Sequence, residues 1–411
     1  MRVSLATEMA PPFVLVAHFF IAGIGFLLLS VFVLPLLATQ VEGYFISSLM
    51  AAFSHLYLLG FVMMIIFGAM YQLLPVVLEA PIFSKDFAYV QFYMYLVGVI
   101  LLVSGFTFDG YHLLIPYGAV LTYASMLIFC VNVFITFYQL EQWNIVAKFL
   151  FMATLFLFVA VSIGLIVGLN LEHGFLGIDM DYWIKAHMLG TLGGFVMMVI
   201  MGVAMVLLPM FSLAHGYSQK WIESALYIHS LSISLGMVAL LLGYLTLAYI
   251  ASGLFVLSSL LFVIQMGIIF KMRVRKQNDY WVRNVVFALF CFTCNSVVMC
   301  FEPVLGGVLV FFGFLLPLIV GHIYKILPFL IWYEKFSPLV GKQKVPLLHQ
   351  MILTRVADVQ TYLLFVAIFF LLLAIFLHVK SVFYIGSFIL AFSVILVVYN
   401  TWYTFTYKIK E

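Results

Sequence analysis

The chain has 411 residues, of which 66% are hydrophobic and 8% charged, and its mean hydropathy is +1.25. Soluble domains hold about 45–50% apolar and about 25% charged residues, so a water-exposed fold of this composition would have no means of hiding its apolar surface. The formal net charge of +3 offers no basic patch for nucleic acid, and no Gly-rich phosphate loop, paired carboxylate or nucleophile with a nearby base points to a soluble enzyme.

Apolar stretches run the length of the sequence, near residues 12 to 38, 46 to 78, 87 to 107, 112 to 138, 146 to 170, 182 to 212, 221 to 245, 247 to 271, 283 to 301, 305 to 333, 356 to 378 and 381 to 407. Each is long enough to cross a hydrocarbon core of ~30 Å as a helix. The expectation is an all-α, polytopic protein with twelve transmembrane helices, one transmembrane domain over 1–411 embedded in a lipid bilayer. The start, Met1 to Pro12, lacks a compact apolar region followed by a small-residue cleavage site, so the first span is expected to be retained. Cys130, Cys291, Cys294 and Cys300 all fall in spans. Cys291 and Cys294 make a C-x-x-C that reads as packing rather than redox or metal chemistry.

Basic residues set the expected orientation. With an internal N-terminus, sixteen of the 18 Lys and Arg, from Arg2 and Lys85 through Lys408 and Lys410, fall on the cytoplasmic side, leaving only Lys185 and Lys380 outside. Both ends are therefore expected in the cytoplasm, in the inner membrane of a prokaryote.

A repeat is written into three of the spans. The second carries Gly60-Phe61, Gly68 and Pro75, the sixth Gly194-Phe195, Gly202 and Pro209, and the tenth Gly313-Phe314, Gly321 and Pro328. The spacing is eight from Gly to Gly and seven from Gly to Pro each time. Small residues let helix backbones approach in lipid, which accounts for each Gly alone but not for three such helices four spans apart. A pseudo-threefold repeat of four-helix units, approximately 1–140, 141–275 and 276–411, accounts for both.

Five of the ten histidines lie within spans: His18, His55, His187, His229 and His322. Imidazole inside a bilayer must be paired, hydrated or metal-bound, and three of the five sit on the repeat spans. His18 reads as a capping or packing residue. Tyr71 and Tyr324 occupy equivalent repeat positions, and with His322 and Lys325 they outline a polar path whose simpler reading is two interfacial tyrosines and a snorkelling lysine.

The run from His55 through Gly60-Phe61 and Gly68 to Tyr71-Gln-Leu-Leu-Pro75, together with Ala186-His187-Met-Leu-Gly-Thr-Leu-Gly-Gly194, resembles the second and sixth helices of the haem-copper oxidase subunit I superfamily. In spacing it is closer to the NnrS family of twelve-helix haem and copper proteins. The resemblance implies an axial haem ligand at His55, a haem or copper ligand at His187, and cofactor roles for His322 and His229, with haem b as principal cofactor and copper as a second. It also implies a cytochrome or small redox subunit as partner.

The sequence departs from that superfamily in the tenth span, where a His-x-His is expected and Val308, Gly306 and Gly307 stand instead. His322 lies fourteen residues beyond Val308, about 21 Å along a helix axis. The paired histidines expected late in the seventh span are replaced by a single His229 near its start. The expectation is a haem-binding membrane protein of respiratory electron transfer or nitric oxide chemistry, without a complete oxygen-reducing centre. The alternatives are a cofactor-free transporter and a non-catalytic assembly subunit.

Overall fold

The structure is a computed structural model and describes residues 11–41, 47–176, 180–299 and 301–409. Arg2, Cys300 and Lys410 lie outside them.

Twelve helices in the described residues are long and apolar enough to cross a membrane, and no strand is present among those residues. They are α1 (Phe13–Gln40), α2 (Ser48–Leu78), α3 (Lys85–Thr107), α4 (Leu114–Tyr138), α5 (Ile145–His173), α6 (Met180–Ser212), α7 (Lys220–Leu241), α8 (Leu245–Lys271), α9 (Tyr280–Val298), α10 (Pro303–Lys335), α11 (Thr354–Leu377) and α12 (Lys380–Phe405). Their outward faces carry large apolar side chains, among them Phe290, Phe369, Phe376, Phe388 and Trp402, all more than half exposed. A water-soluble monomer does not present such a surface; the chain is a multi-pass membrane protein.

Side-chain caps start several helices where the sequence places a small polar residue. The Ser47, Ser84, Asn144 and Asp279 side chains accept from the backbone N–H three residues on, at the entries of α2, α3, α5 and α9. Each cap satisfies one of the amides that a helix start leaves unpaired.

The contacts group the chain into two compact units, one of residues 1–19 with 66–276, the other of residues 20–65 with 277–411. In the first, α3 and α4 form a hairpin in which a Cβ on Gly118 would lie 2.4 Å from the Leu102 amide nitrogen, and one on Gly98 would lie 2.7 Å from that of Thr122. These glycines bring the two backbones together. The α7–α8 hairpin of the same unit opposes Gly236 to Ala251, and the α11–α12 hairpin of the second unit sets Gly386 under Leu371. Gly118, Ala251 and Gly386 thus each lie at a close approach within their own hairpin.

The glycine-bearing spans share a feature that the sequence pattern did not predict. Each leaves the α-helix for a π-helical stretch around its Gly-Phe pair: Leu56–Met63 in α2, Leu189–Val196 in α6 and Leu309–Leu315 in α10. At each first glycine a side chain from the preceding helix fills the missing Cβ, namely Phe26 over Gly60, Phe156 over Gly194 and Cys291 over Gly313. The second glycines of α6 and α10 receive Phe149 and Asn284 in the same way. Turns of π-helix are rare and concentrate at functional sites, which gives weight to the side chains beside them.

Candidate functional site: histidines and buried polar groups

His55 is the last α-helical residue before the first π stretch. Its Nδ1 lies 2.7 Å from the Ala51 carbonyl oxygen. A carbonyl only accepts, so Nδ1 carries the proton and, in the neutral ring, Nε2 carries the lone pair. His322 repeats this on α10, with Nδ1 2.7 Å from the Leu318 carbonyl and the Trp281 ring edge-on at 6.0 Å. His187 uses the same nitrogen across a helix interface, 2.8 Å from the Ala160 carbonyl of α5. Gly164 makes room for that ring, since a Cβ there would sit 2.5 Å from its Cε1. Iron- and copper-binding histidines are held in this tautomer, with one ring N–H on a carbonyl and the other nitrogen left for the metal.

His229 is placed differently. It is fully buried, with Nε2 2.8 Å from the Gly193 carbonyl of α6 and Nδ1 2.8 Å from the Ser258 hydroxyl of α8. For the ring to stay neutral, Ser258 donates to Nδ1 while Nε2–H donates to Gly193. Both nitrogens are then engaged by protein, and the residue ties α6, α7 and α8 together beside the second π stretch. His18 is enclosed by aromatic rings of α3, with centroids 5.3 Å to Phe92, 6.2 Å to Tyr93 and 6.4 Å to Tyr89, and caps no helix. Among the described residues no three His, Cys, Asp or Glu side chains converge as a metal site.

Aromatic side chains line the His55 end of α2. Tyr57 stacks on Phe311 with centroids 5.2 Å apart and donates its hydroxyl to the Phe311 carbonyl at 2.6 Å, inside the third π stretch. Phe53 and Phe312 close the cluster at 6.1 Å from one another.

A second constellation is one that the sequence pattern alone did not bring out. Near the end of α4, Asn132 accepts from the Ser84 N–H at 2.9 Å and donates to the Ser84 carbonyl at 2.8 Å, gripping the entry to α3. Near the end of α12, Asn400 does the same to Leu353 at the entry to α11, at 2.9 and 3.2 Å. One turn later Thr136 accepts from the Phe83 N–H and Thr404 donates to the Met351 carbonyl. In the middle of the chain Gln265 of α8 donates to the Ser218 carbonyl before α7. Seven residues before each of these amides stands a buried serine, Ser125, Ser258 or Ser393. Ser393 pairs with Gln360 at 3.0 Å, and Ser258 pairs with His229. The recurrence of Ser and amide at that separation is legible in the sequence, but only once the three hairpins are aligned.

No protein-family model matches the chain, and no curated protein matches it. The class established by the fold is a multi-pass membrane protein with twelve membrane-length helices among the described residues, and its function has to be argued from its own residues.

Proposed function

We propose that this protein binds haem in the membrane through His55 and takes part in respiratory electron transfer or nitric oxide chemistry. The observation that carries the reading is the fixed tautomer of His55, whose Nδ1–H is held by Ala51 so that Nε2 carries the lone pair at the mouth of a π-helical turn. The donor chemistry fits iron: a neutral imidazole oriented by a backbone carbonyl is a haem ligand of ordinary kind. Haem b, when bound, supplies one-electron redox chemistry. The chain's own part is to hold the imidazole against rotation through the Ala51 carbonyl.

His187 is the corresponding candidate in α6, for haem or copper, because its Nδ1–H is anchored to Ala160. His322 has the same tautomer, with the Trp281 ring of α9 edge-on beside it. His229 serves as a structural clamp in this reading, not as a ligand. The threefold relation among the three four-helix repeats, the cytoplasmic placement of both termini in a prokaryotic inner membrane, and a cytochrome or small redox subunit as electron partner belong to the same proposal.

The test is a reduced-minus-oxidised spectrum and haem extraction on protein purified from haem-replete membranes. The expected result is a b-type signal that His55→Ala abolishes while the variant still elutes as folded protein. A colourless, folded wild-type protein overturns the reading. The cofactor-free transporter would then take precedence, because π-wound spans place irregular backbone within the membrane, where transporters build their substrate sites. A folded protein with neither haem nor transport would leave the assembly-subunit reading.

A further inference from the structure

We propose that one end of the first compact unit, where the α6–α7 turn meets the segment that follows α8, is a docking surface for the phosphate headgroups of anionic phospholipids. It uses none of the histidines within the spans and stands whether or not the chain holds iron at His55.

The surface is built from two turns. α6 stops at Leu213, which takes the left-handed conformation with φ 55°, and the Ala214 N–H reaches back to the Pro209 carbonyl at 3.1 Å. This is the closure that satisfies a last-turn carbonyl and turns the chain sharply off a helix. Gly216 continues the reversal at φ 73°. The Gln265 side chain of α8 then ties down the Ser218 carbonyl at 3.0 Å, just before α7 begins at Lys220. The chain leaving α8 after Lys271 folds over this turn. The Arg275 N–H donates to the Ser212 carbonyl at 3.2 Å, and a Cβ on Gly216 would lie 3.9 Å from the Met272 Cε. Two segments distant in sequence are thus fixed side by side at the ends of α6, α7 and α8.

Their charge is one-sided. Residues 209–225 and 265–276 carry Lys220, Lys271, Arg273, Arg275 and Lys276 against a single acid, Glu223. Four of these cations are exposed, and Arg273 is half-buried with its guanidinium 5.7 Å from the Phe270 ring centroid. A polybasic segment directly beside a span enriches anionic lipid by about fivefold for each Lys or Arg near the surface.

The company these cations keep points to a bilayer. Orientation during insertion asks for Lys and Arg on one side of the membrane, but not for exposed apolar side chains among them. Here Leu213, Trp221, Met272 and Val274 are all exposed, Val274 at 65%. A face for a soluble polyanion gains nothing from these groups. At the headgroup boundary they enter the acyl layer while the cations meet phosphate, and Trp is a residue type that gathers at this depth. Arg273 and Arg275, on either side of Val274, each offer the planar fork of donors that matches phosphate oxygens.

Trp221 is a built-in reporter for the test. With the full chain in nanodiscs, its fluorescence is isolated as the difference between wild type and Trp221→Phe. Brominated phosphatidylglycerol or brominated phosphatidylcholine then replaces part of an unbrominated phosphatidylcholine bilayer. Half-maximal quenching is expected at about a tenfold lower fraction of the brominated phosphatidylglycerol; equal quenching by the two lipids overturns the proposal without recourse to any variant. Replacing Arg273→Gln together with Arg275→Gln leaves the backbone bond to Ser212 in place, and should bring the two lipids within about twofold of each other at an unchanged unfolding midpoint. The same exchange at Lys342 and Lys344, in the loop after α10, should leave the preference intact. A preference that survives the arginine pair, or that disappears equally in the lysine control, means that these two turns are not the docking surface. Inorganic phosphate, compared with chloride at equal ionic strength, should leave the quenching by phosphatidylglycerol unchanged. If it relieves that quenching, the turns take a free anion and the assignment to lipid is wrong.

Discussion

Replacing His229 by Leu removes two hydrogen bonds from a fully buried side chain while keeping most of its volume. Ser258 retains the Phe255 carbonyl as an alternative acceptor at 2.8 Å, so the loss on that side is that of an ordinary interhelical bond in a bilayer, ~0.6 kcal/mol on average. The Gly193 carbonyl loses its side-chain donor in a π-helical segment, and a buried acceptor stripped of a partner costs ~1–3 kcal/mol. The expected destabilisation is about 2–3 kcal/mol, which lowers the unfolding midpoint by several degrees at about 2–4 °C per kcal/mol. The measurement is thermal unfolding in detergent followed with a thiol-reactive dye, for which buried Cys130 and Cys291 are built-in reporters. Ser258→Ala, which keeps the Gly193 bond, should cost about half as much, and the double variant less than the sum because the pair is coupled. An unchanged midpoint for His229→Leu, accompanied by loss of bound copper, would refute the clamp and return the ring to the role of a ligand.

The amide grips give a parallel expectation. Asn132→Ala and Asn400→Ala each release two backbone groups at a helix entry and should each destabilise by about 1–2 kcal/mol in the same dye assay. Glycine contacts separate two kinds of site: Gly118→Ala forces a Cβ onto the Leu102 backbone and should prevent the α3–α4 hairpin from closing, seen as loss of folded protein in size-exclusion chromatography. Gly25→Ala meets nothing within 4 Å and should be neutral or stabilising by up to about 1 kcal/mol. Gly164→Ala should displace the His187 ring and break its bond to Ala160, read as a shifted imidazole 15N resonance.

The twelve spans were legible because apolar runs of membrane length leave few other readings, and their observed limits fall within a few residues of those expected. The Gly-Phe-Gly-Pro spacing also marked the three helices that carry the π turns, although nothing in that spacing says the backbone should widen there. His229 shows what residue identity withholds. Its value as a ligand depends on where its nitrogens point, and Ser258 and Gly193 are distant in sequence. Asn132 and Asn400 are inconspicuous for the opposite reason: one asparagine near a helix end looks ordinary, and its recurrence emerges only when α4 is laid beside α12. Lys325 has the sequence position of a side chain reaching for the interface, and what its position could not show is that it meets Asp279 at the start of α9.

The wide turns have a consequence for how these three helices tolerate change. A π stretch holds more residues per turn than the α-helix around it, so the sequence after it is re-phased relative to the sequence before it. Deleting a single residue from Leu309–Leu315 would let the backbone return to ordinary winding with the downstream helix still in phase, whereas a deletion in the α-helical part of the span would swing everything downstream by roughly 100°, one residue's share of a 3.6-residue turn. Tyr324 and Lys325 would keep their neighbours in the first case and lose them in the second. Length at these points thus carries information that residue identity alone does not.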